Sequence, residues 1–229
     1  MWWIFSLRRG LDFGNRPVAD IAARSKVELF TSKAQVVCVM SSARATDQRL
    51  IRRILRVNHA GEHGAVSIYS AQLLHLGSRH ADLKAWLAET LGHERAHRSA
   101  FRDAMPKRAA KPCRALGVWS VGGWVLGCLT ALLGRTGVLA CTAAVERTVH
   151  GHLQEQIAYL RRRDGDLAAL VERIQTEELS HLVYAETNLG PSGPSPLLQG
   201  AVGAATEILI AISTRGDSIR LRRTLREHR

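Results

Sequence analysis

The sequence predicts an all-α protein, a four-helix bundle built from two related helix pairs, with one or two further apolar helices suited to an interface. From Asp47 onwards, apolar residues recur at spacings of three and four, as on one face of an α-helix. No segment alternates apolar and polar residues for long enough to form a strand. A set of acidic residues and histidines on apolar faces occurs twice, 84 residues apart, which indicates a duplicated helix pair.

Helix-breaking residues divide the chain after Asp47 into about six helices. These breaks are Gly77-Ser78, Pro106, Pro112, Gly134 to Gly137, Asp164-Gly165 and the Gly- and Pro-rich run 190–196. Three of the predicted helices carry a continuous stripe that would face the core. The stripes are Leu83, Leu87, Thr90, Glu94, His97 and Phe101; Leu139, Ala143, Glu146, Val149, Leu153, Ile157 and Leu160; and Leu167, Leu170, Ile174, Glu178, His181 and Ala185.

These breaks also suggest a division of the chain into three parts, with the bundle over residues 47–190. Residues 1–46 mix aromatic and basic side chains without a sustained period, and we expect a basic, poorly ordered extension. This extension is either a mitochondrial transit peptide, which its acidic residues disfavour, or an over-extended start, since Met40 offers a second one. Residues 191–229 are expected to form a linker, an apolar helix and an Arg-rich tail.

The net charge of +12 first suggests a nucleic-acid-binding protein, but its distribution argues against one. Residues 1–57 hold eleven basic and four acidic side chains, and residues 213–229 hold six and two, so the part between is nearly neutral. Basic ends suit an anionic membrane surface or a solvated tail, and we expect no nucleic-acid partner. The four cysteines form no C-x-x-C pair and indicate reduced thiols, which excludes a disulfide-stabilised fold.

Two segments are more apolar than a surface helix requires. They are Trp119 to Leu133 and Leu197 to Ile212, and both fall short of the roughly 20 residues that span a bilayer. They are either buried core helices or interfacial helices that dip one face into a membrane surface. The indole rings of Trp119 and Trp124 favour the interface.

The repeated polar residues predict a metal centre. A shift of 84 residues maps Glu62, Glu94 and His97 onto Glu146, Glu178 and His181. Each half offers a glutamate on one helix and Glu-x-x-His on the next, and residues three apart project from one side of a helix. This is the ligand set of a ferritin-like, carboxylate-bridged site for two metal ions, and it suits iron or manganese. The alternative is a plain bundle whose buried carboxylates pair with arginines, which does not explain the repeat.

Other polar residues near these positions are weaker candidates. His152, six residues after Glu146, could handle protons beside the metal ions. Tyr69 lies two turns beyond Glu62, and we expect it mainly to pack. We expect Glu177 to be solvated. The histidines expected at the surface or on helix faces are His59, His63, His93 and His150.

The chain resembles the demethoxyubiquinone hydroxylase family of ubiquinone biosynthesis from about Asp47 to Arg215. The matching motifs are Arg56-Val-Asn-His-Ala-Gly-Glu62 with Tyr69 and Gln72, His93-Glu-Arg-Ala-His97 with Phe101, the stretch 127–137, Ala144-Val-Glu146 with His152, and Glu177-Glu-Leu-Ser-His181. The resemblance implies a non-haem di-iron monooxygenase with ligands at the six residues that the repeat selects. Many members carry an acid two residues after the last ligand histidine, where this chain has Val183, so the partner of His181 is left open.

The resemblance further implies a reaction, in which O2 is activated at two iron ions and one oxygen enters the ring of a polyprenyl methoxy-methyl benzoquinone or quinol. Electrons would come from NADH or a reduced quinone. The partners would be this quinone, a membrane surface and other proteins of ubiquinone biosynthesis. With 27 Arg against 5 Lys, we expect the cytoplasmic face of a bacterial cell membrane, and the alternative is the matrix side of the mitochondrial inner membrane.

Two other kinds of protein remain as alternatives. A rubrerythrin-like or ferritin-like protein would use the same ligands to handle peroxide or to store iron, because a fold does not fix a function. A non-catalytic, membrane-bound helical adaptor would leave the ligands without a role.

Overall fold

The computed structural model describes the backbone of residues 18–189 and 196–213 and a few single residues beyond. Side chains are described for residues 44–189 and for most of 199–211. By its internal contacts the chain divides into two units, Met1–Thr46 and Asp47–Arg229. The first is described only as helical backbone from Val18, and everything below concerns the second.

The all-α class is confirmed, since the described residues form six α-helices and no strand. The helices are α1 (Val18–His75), α2 (Ala81–Ala104), α3 (Leu116–Leu132), α4 (Gly134–Leu160), α5 (Gly165–Asn188) and α6 (Pro196–Ser213). Two 3-10 turns, Ser78–His80 and Pro106–Arg108, flank α2.

Helix α1 is described from Val18, so it begins earlier than Asp47. The expectation of a basic, poorly ordered extension over residues 1–46 stays a prediction. The stretch from Val18 to Asp47 contains neither Gly nor Pro, so no residue in it opposes helix formation. The expectations for residues 1–17, and for most of the tail after Ser213, lie outside the described residues.

Helices α1, α2, α4 and α5 form the bundle, with apolar clusters on both sides of its middle. One cluster comprises Leu50, Ile54, Leu55, Phe101, Leu153, Ile157, Leu160, Leu167, Val171 and Ile174, with other buried residues around them. The other includes Tyr69, Leu76, Leu83, Leu87, Val138, Leu139, Leu182 and Ala185. The predicted metal-binding residues fall between these clusters on all four helices, so the site lies at the centre of the bundle.

A largely buried ion pair between Arg108 and Asp164 stabilises the turn between α4 and α5. The Arg108 guanidinium donates to both carboxylate oxygens of Asp164, at 2.6 and 2.8 Å, while the same carboxylate accepts from the Leu167 amide at the start of α5. The pair lowers the pKa of Asp164 through its hydrogen bonds from Arg108. One residue thus caps a helix and ties it to the end of α2.

Helix α3 lies against α1 at backbone distance. A Cβ built at Gly123 would stand 2.6 Å from the Gly64 carbonyl oxygen, and one at Gly127 would stand 2.8 Å from the Ala71 Cβ. Only glycine permits such an approach between two helices. Helix α6 in turn packs against α3 and α4, so both added helices cover the same side of the bundle.

Trp119 does not lie at an interface, contrary to the expectation from sequence. It is only 3% exposed, and its indole packs where a Cβ on Gly64 would otherwise sit. The missing side chain at Gly64 therefore admits a ring that would have faced outwards. Trp124 remains 41% exposed, as expected.

A search of the described helices for a membrane span finds none that is both long and apolar enough.

We predict that Gly127→Ala lowers the free energy of unfolding by about 1–3 kcal/mol, because the added methyl group overpacks the contact between α3 and α1. Gly151→Ala in α4 is the matched control, since a Cβ there meets nothing within 4 Å. That control should be neutral or stabilise by about 0.5–1 kcal/mol. Urea unfolding followed by circular dichroism measures both, and equal effects would contradict the close approach.

Candidate metal centre

The structure brings the six predicted residues together at the centre of the bundle. Each is at most 5% exposed. They form two overlapping groups of potential ligand atoms, each lying within 4.8 Å of one another. One group is Glu62, Glu94, His97 and Glu178, and the other is Glu94, Glu146, Glu178 and His181. Glu94 and Glu178 belong to both groups, so they are placed to bridge two ions.

The two imidazoles are oriented alike. Nδ1 of His97 faces the Glu178 carboxylate at 3.1 Å, and Nδ1 of His181 faces the same carboxylate at 3.2 Å. In both rings Nε2 points away from the cluster, to Glu177 for His97 and to His93 for His181. Nδ1 is therefore the atom that each histidine would offer to a metal ion, with the proton then on Nε2.

Burial and mutual repulsion dominate the electrostatics of the carboxylates. The pKa values of Glu62 and Glu146 lie well above the usual range, because of burial and then the charges of Glu178 and Glu94. Burial and the Glu178 charge also raise the pKa of Glu94. Glu178 is the exception: burial opposes its ionisation, but hydrogen bonds from His181 and His97 outweigh this and lower its pKa.

The pKa values of His97 and His181 are raised, although both imidazoles are buried. Burial alone would lower the pKa of each imidazole, but the hydrogen bond to Glu178 and the surrounding carboxylate charges raise both to about 9. Raised pKa values on both glutamates and histidines mean that the cluster binds protons readily, because its negative charge is not balanced by other positive groups. A divalent ion would supply that charge in place of the protons.

The donor set fits two such ions. Oε1 of Glu94 is buried without a hydrogen bond, its described ionic contact being His181 Nδ1 at 3.5 Å, and a cation would compensate it more closely. Four carboxylates and two imidazoles are ligands that iron and manganese accept, and the described thiols Cys113, Cys128 and Cys141 contribute to neither group. The ion pairs described for three of the four glutamates, Glu62, Glu94 and Glu178, run to histidines and not to arginines, which argues against the plain bundle.

Three residues that the sequence analysis ranked low contact the cluster. Tyr69 donates its hydroxyl to Glu146 Oε1 at 2.6 Å, so its role is more than packing. Glu177, although half exposed, lies 2.9 Å from His97 Nε2 and is not merely solvated. His93 lies 3.0 Å from His181 Nε2 with the two rings nearly parallel, which answers the open question of that histidine's partner. The one available signal is the 84-residue shift, which maps His93 onto Glu177.

Three further histidines that the structure describes contribute to neither ligand group. His152 is directed to Glu207 of α6, with Nε2 3.2 Å from Oε1. His59 is 2% exposed, so of the two expected placements it takes the helix face and not the surface, and burial followed by the His63 charge lowers its pKa to about 4. His63 itself contacts Ser120 of α3 at 2.8 Å.

An apolar cavity with a volume of about 70 Å³ borders the carboxylate cluster. The four glutamates of the cluster line part of it: Glu62, Glu94, Glu146 and Glu178. The rest is largely apolar and is contributed by α1, α3, α4 and α6: Val57, Asn58, Gly61, Gly64, Ala65, Ile68, Trp119, Leu126, Val145, Val149, His152, Leu153, Thr206 and Ile210. A largely apolar lining with a few polar groups suits an apolar ligand.

Asn58 and Gln156 are the paired amides beside this cavity. Each donates its side-chain NH2 to the other's carbonyl oxygen, at 2.7 and 3.0 Å, across α1 and α4. Because these amides satisfy one another, the cavity wall stays rigid and presents few free polar groups.

Comparison with known proteins points to one family. The sequence profile of the family described as ubiquinone biosynthesis protein COQ7 matches residues 49–213. The chain is 38% identical over 167 residues to the 3-demethoxyubiquinol 3-hydroxylase of Rhodospirillum rubrum, covering 72% of this chain and 78% of that protein.

Two mammalian proteins are similar over a comparable length. Both carry the name NADPH-dependent 3-demethoxyubiquinone 3-hydroxylase, mitochondrial. The Homo sapiens protein is 32% identical over 170 residues, covering 72% of this chain and 77% of its own length. The Bos taurus protein is 30% identical over 174 residues, covering 74% and 79%.

We predict that the metal-free chain loses thermal stability as the pH rises from about 6.5 to 9. The folded His97 and His181 have pKa values of about 9, against 6.5 as the ordinary value of an unfolded chain. Their contribution is therefore fully present below pH 6.5 and is lost as the pH passes through 9. The raised pKa values of Glu62 and Glu146 act in the same direction.

Thermal unfolding of the chelator-treated protein, followed by circular dichroism across this range, measures the effect. The double variant His97→Gln, His181→Gln should flatten the dependence, and a saturating divalent metal should remove it in the original chain, since metal ions displace the protons. A melting temperature that rises between pH 6.5 and 9 would contradict the assigned protonation.

Proposed function

The chain belongs to the COQ7 family of ubiquinone biosynthesis proteins, and on this premise we propose that it is a di-iron monooxygenase that hydroxylates the ring of a polyprenyl methoxy-methyl benzoquinone or quinol. The observation that carries the proposal is the buried carboxylate and histidine cluster that forms the inner wall of an apolar cavity. A hydroxylase of an apolar ring needs this combination, because the substrate must reach the metal ions without water.

We assign the two ions to the two ligand groups, with Glu94 and Glu178 shared, Glu62 and His97 on one side, and Glu146 and His181 on the other. Iron ions held here would activate O2 and supply the oxidising power for ring hydroxylation. The chain itself holds the ligands in place, since all six are buried between apolar clusters on four helices. Electrons from NADH or a reduced quinone complete the proposed reaction.

The cavity supports a quinone as the substrate. Its lining is mostly aliphatic, with the Trp119 ring on one side, and a planar ring can lie against such walls. Polar groups are few, so the ring would be placed mainly by shape. An apolar lining would also limit the access of water to the cluster.

An exposed apolar face on α3 supports a membrane surface as the place of action. Val121, Val125, Leu129 and Leu132 follow one another at spacings of four, four and three, and they are 67%, 50%, 57% and 79% exposed. An apolar stripe of this kind is costly in water and favourable at the boundary of headgroups and acyl chains. A prenylated quinone is confined to the membrane, and α3 also lines the cavity. We therefore propose peripheral attachment, at a bacterial cell membrane or the mitochondrial inner membrane.

A peroxide-handling or iron-storing protein would share the ligand set but has no use for a largely apolar approach to it. The adaptor alternative leaves the buried carboxylate and histidine cluster without a function. These alternatives are separated by the experiment below.

We predict that the protein purified in detergent carries two iron ions per chain and adds one oxygen atom to a short-tail methoxy-methyl benzoquinone in the presence of NADH and O2. Glu178→Ala should abolish this activity and lower the iron content, because it removes a carboxylate common to both ligand groups. Glu89→Ala, an exposed glutamate on the same helix as Glu94, is the control and should retain both. Metal analysis and mass spectrometry of the quinone measure the outcome.

Three results would count against this proposal. Turnover that survives Glu178→Ala would contradict the site. Peroxide consumption without ring oxidation would favour the rubrerythrin-like function, and uptake of iron far beyond two ions per chain would favour storage.

We predict that replacing Val121 and Leu129 together with Glu reduces binding to phosphatidylcholine–phosphatidylglycerol vesicles at least several-fold, because two charges would have to enter the apolar boundary. Val183→Glu is the matched control, since Val183 is 53% exposed but stands on α5. Vesicle flotation measures the bound fraction. If the α3 variant floats as well as the original chain, the face on α3 is not the membrane contact.

A further inference from the structure

The two histidines of the cluster differ in what supports them from outside. His97 Nε2 lies 2.9 Å from the Glu177 carboxylate, whereas His181 Nε2 lies 3.0 Å from Nδ1 of His93. Glu177 and His93 are equivalent residues, since the 84-residue shift that relates the two halves maps one onto the other. Each stands directly before the glutamate of its own Glu-x-x-His and contacts the histidine of the opposite half. The two halves thus place their supporting residues equivalently, but one supporting residue is a carboxylate and the other is an imidazole.

This difference changes the donor strength of the two imidazoles. A histidine that binds a metal ion through Nδ1 keeps its proton on Nε2 and donates it outwards. A carboxylate acceptor for that proton pulls electron density into the ring and makes Nδ1 a better ligand. His93 can accept only as a neutral imidazole, so it orients His181 without adding negative charge. His97 is therefore the stronger ligand of the two.

A second asymmetry acts in the same direction. The Tyr69 hydroxyl donates to Glu146 at 2.6 Å and takes up part of the charge that this carboxylate could give to an ion. The residue equivalent to Tyr69 in the other half is Leu153, which has no proton to donate to Glu62. Glu146 and His181 belong to one ligand group, so both weaker donors are in the same place.

We propose that the two metal positions load in order: the first divalent ion binds at Glu62, Glu94, His97 and Glu178, and the second binds more weakly at Glu94, Glu146, Glu178 and His181. Glu177 and His93 are the positioning residues that set this difference. The inference rests on the proposed two-metal function and adds to it the order of loading and its cause.

The test is a Co²⁺ titration of the full chain, purified in detergent and freed of metal with a chelator. Calorimetry gives the two affinities, and the visible absorption of Co²⁺ reports the ligand environment at each step. The original chain should show two steps whose dissociation constants differ by about tenfold or more. Circular dichroism of each variant establishes that it is folded.

Four variants separate positioning from a general loss of structure. Glu177→Gln should weaken the tighter step by roughly 10- to 100-fold and shift its Co²⁺ spectrum, leaving the weaker step in place. His93→Glu should tighten the weaker step towards the other, and His93→Gln, which keeps a neutral acceptor, should preserve it. Glu89→Gln is the charge-matched control and should change neither step.

Several results would overturn the inference. Two equal steps in the original chain would do so while leaving the two-metal function intact. A Glu177→Gln variant that alters only the weaker step would reverse the assigned order. Binding of fewer than two Co²⁺ ions by the original chain would overturn the order and the proposed function together.

Discussion

The structure depends on placing four carboxylates within a few ångströms of one another at the centre of a helical bundle. Glu62, Glu94, Glu146 and Glu178 are each nearly fully buried, and in that setting their charges cannot all persist without compensation. His97 and His181 supply part of it by hydrogen bonding to Glu178, and the protons held by the other glutamates supply more. The apolar clusters on both sides hold the four helices close enough for this crowding to be maintained.

The same constraint explains why two further helices are present. A cluster that must meet an apolar molecule needs an opening, and an opening in a four-helix bundle would expose the core to water. Helices α3 and α6 cover that side and line the cavity with Trp119, Leu126, Thr206 and Ile210. The glycines of α3 bring it to backbone distance from α1, so its inner face is fixed while its outer face stays apolar and exposed.

Much of the fold and of the site could be predicted from sequence, because helical periodicity and an internal repeat can be read directly along the chain. The stripes locate the core faces, and the repeat selects the six residues that the structure brings together. The contacts of Tyr69, Glu177 and His93 could not be predicted, since they join different helices and depend on how those helices are rotated against each other. Trp119 was misplaced for a related reason, because its burial depends on a missing side chain at Gly64 of another helix.

The crossed support of the two histidines bears on how such a site could arise. Each half of the chain holds the outer partner of the other half's histidine, with His93 reaching His181 and Glu177 reaching His97. A lone helix pair could not complete either position, so a chain with one copy would have to work as a homodimer, and both of its positions would carry the same partner. When two copies are joined in one polypeptide, the two supporting residues no longer have to be the same. A single substitution can then alter one half of the site while the other half keeps its original chemistry.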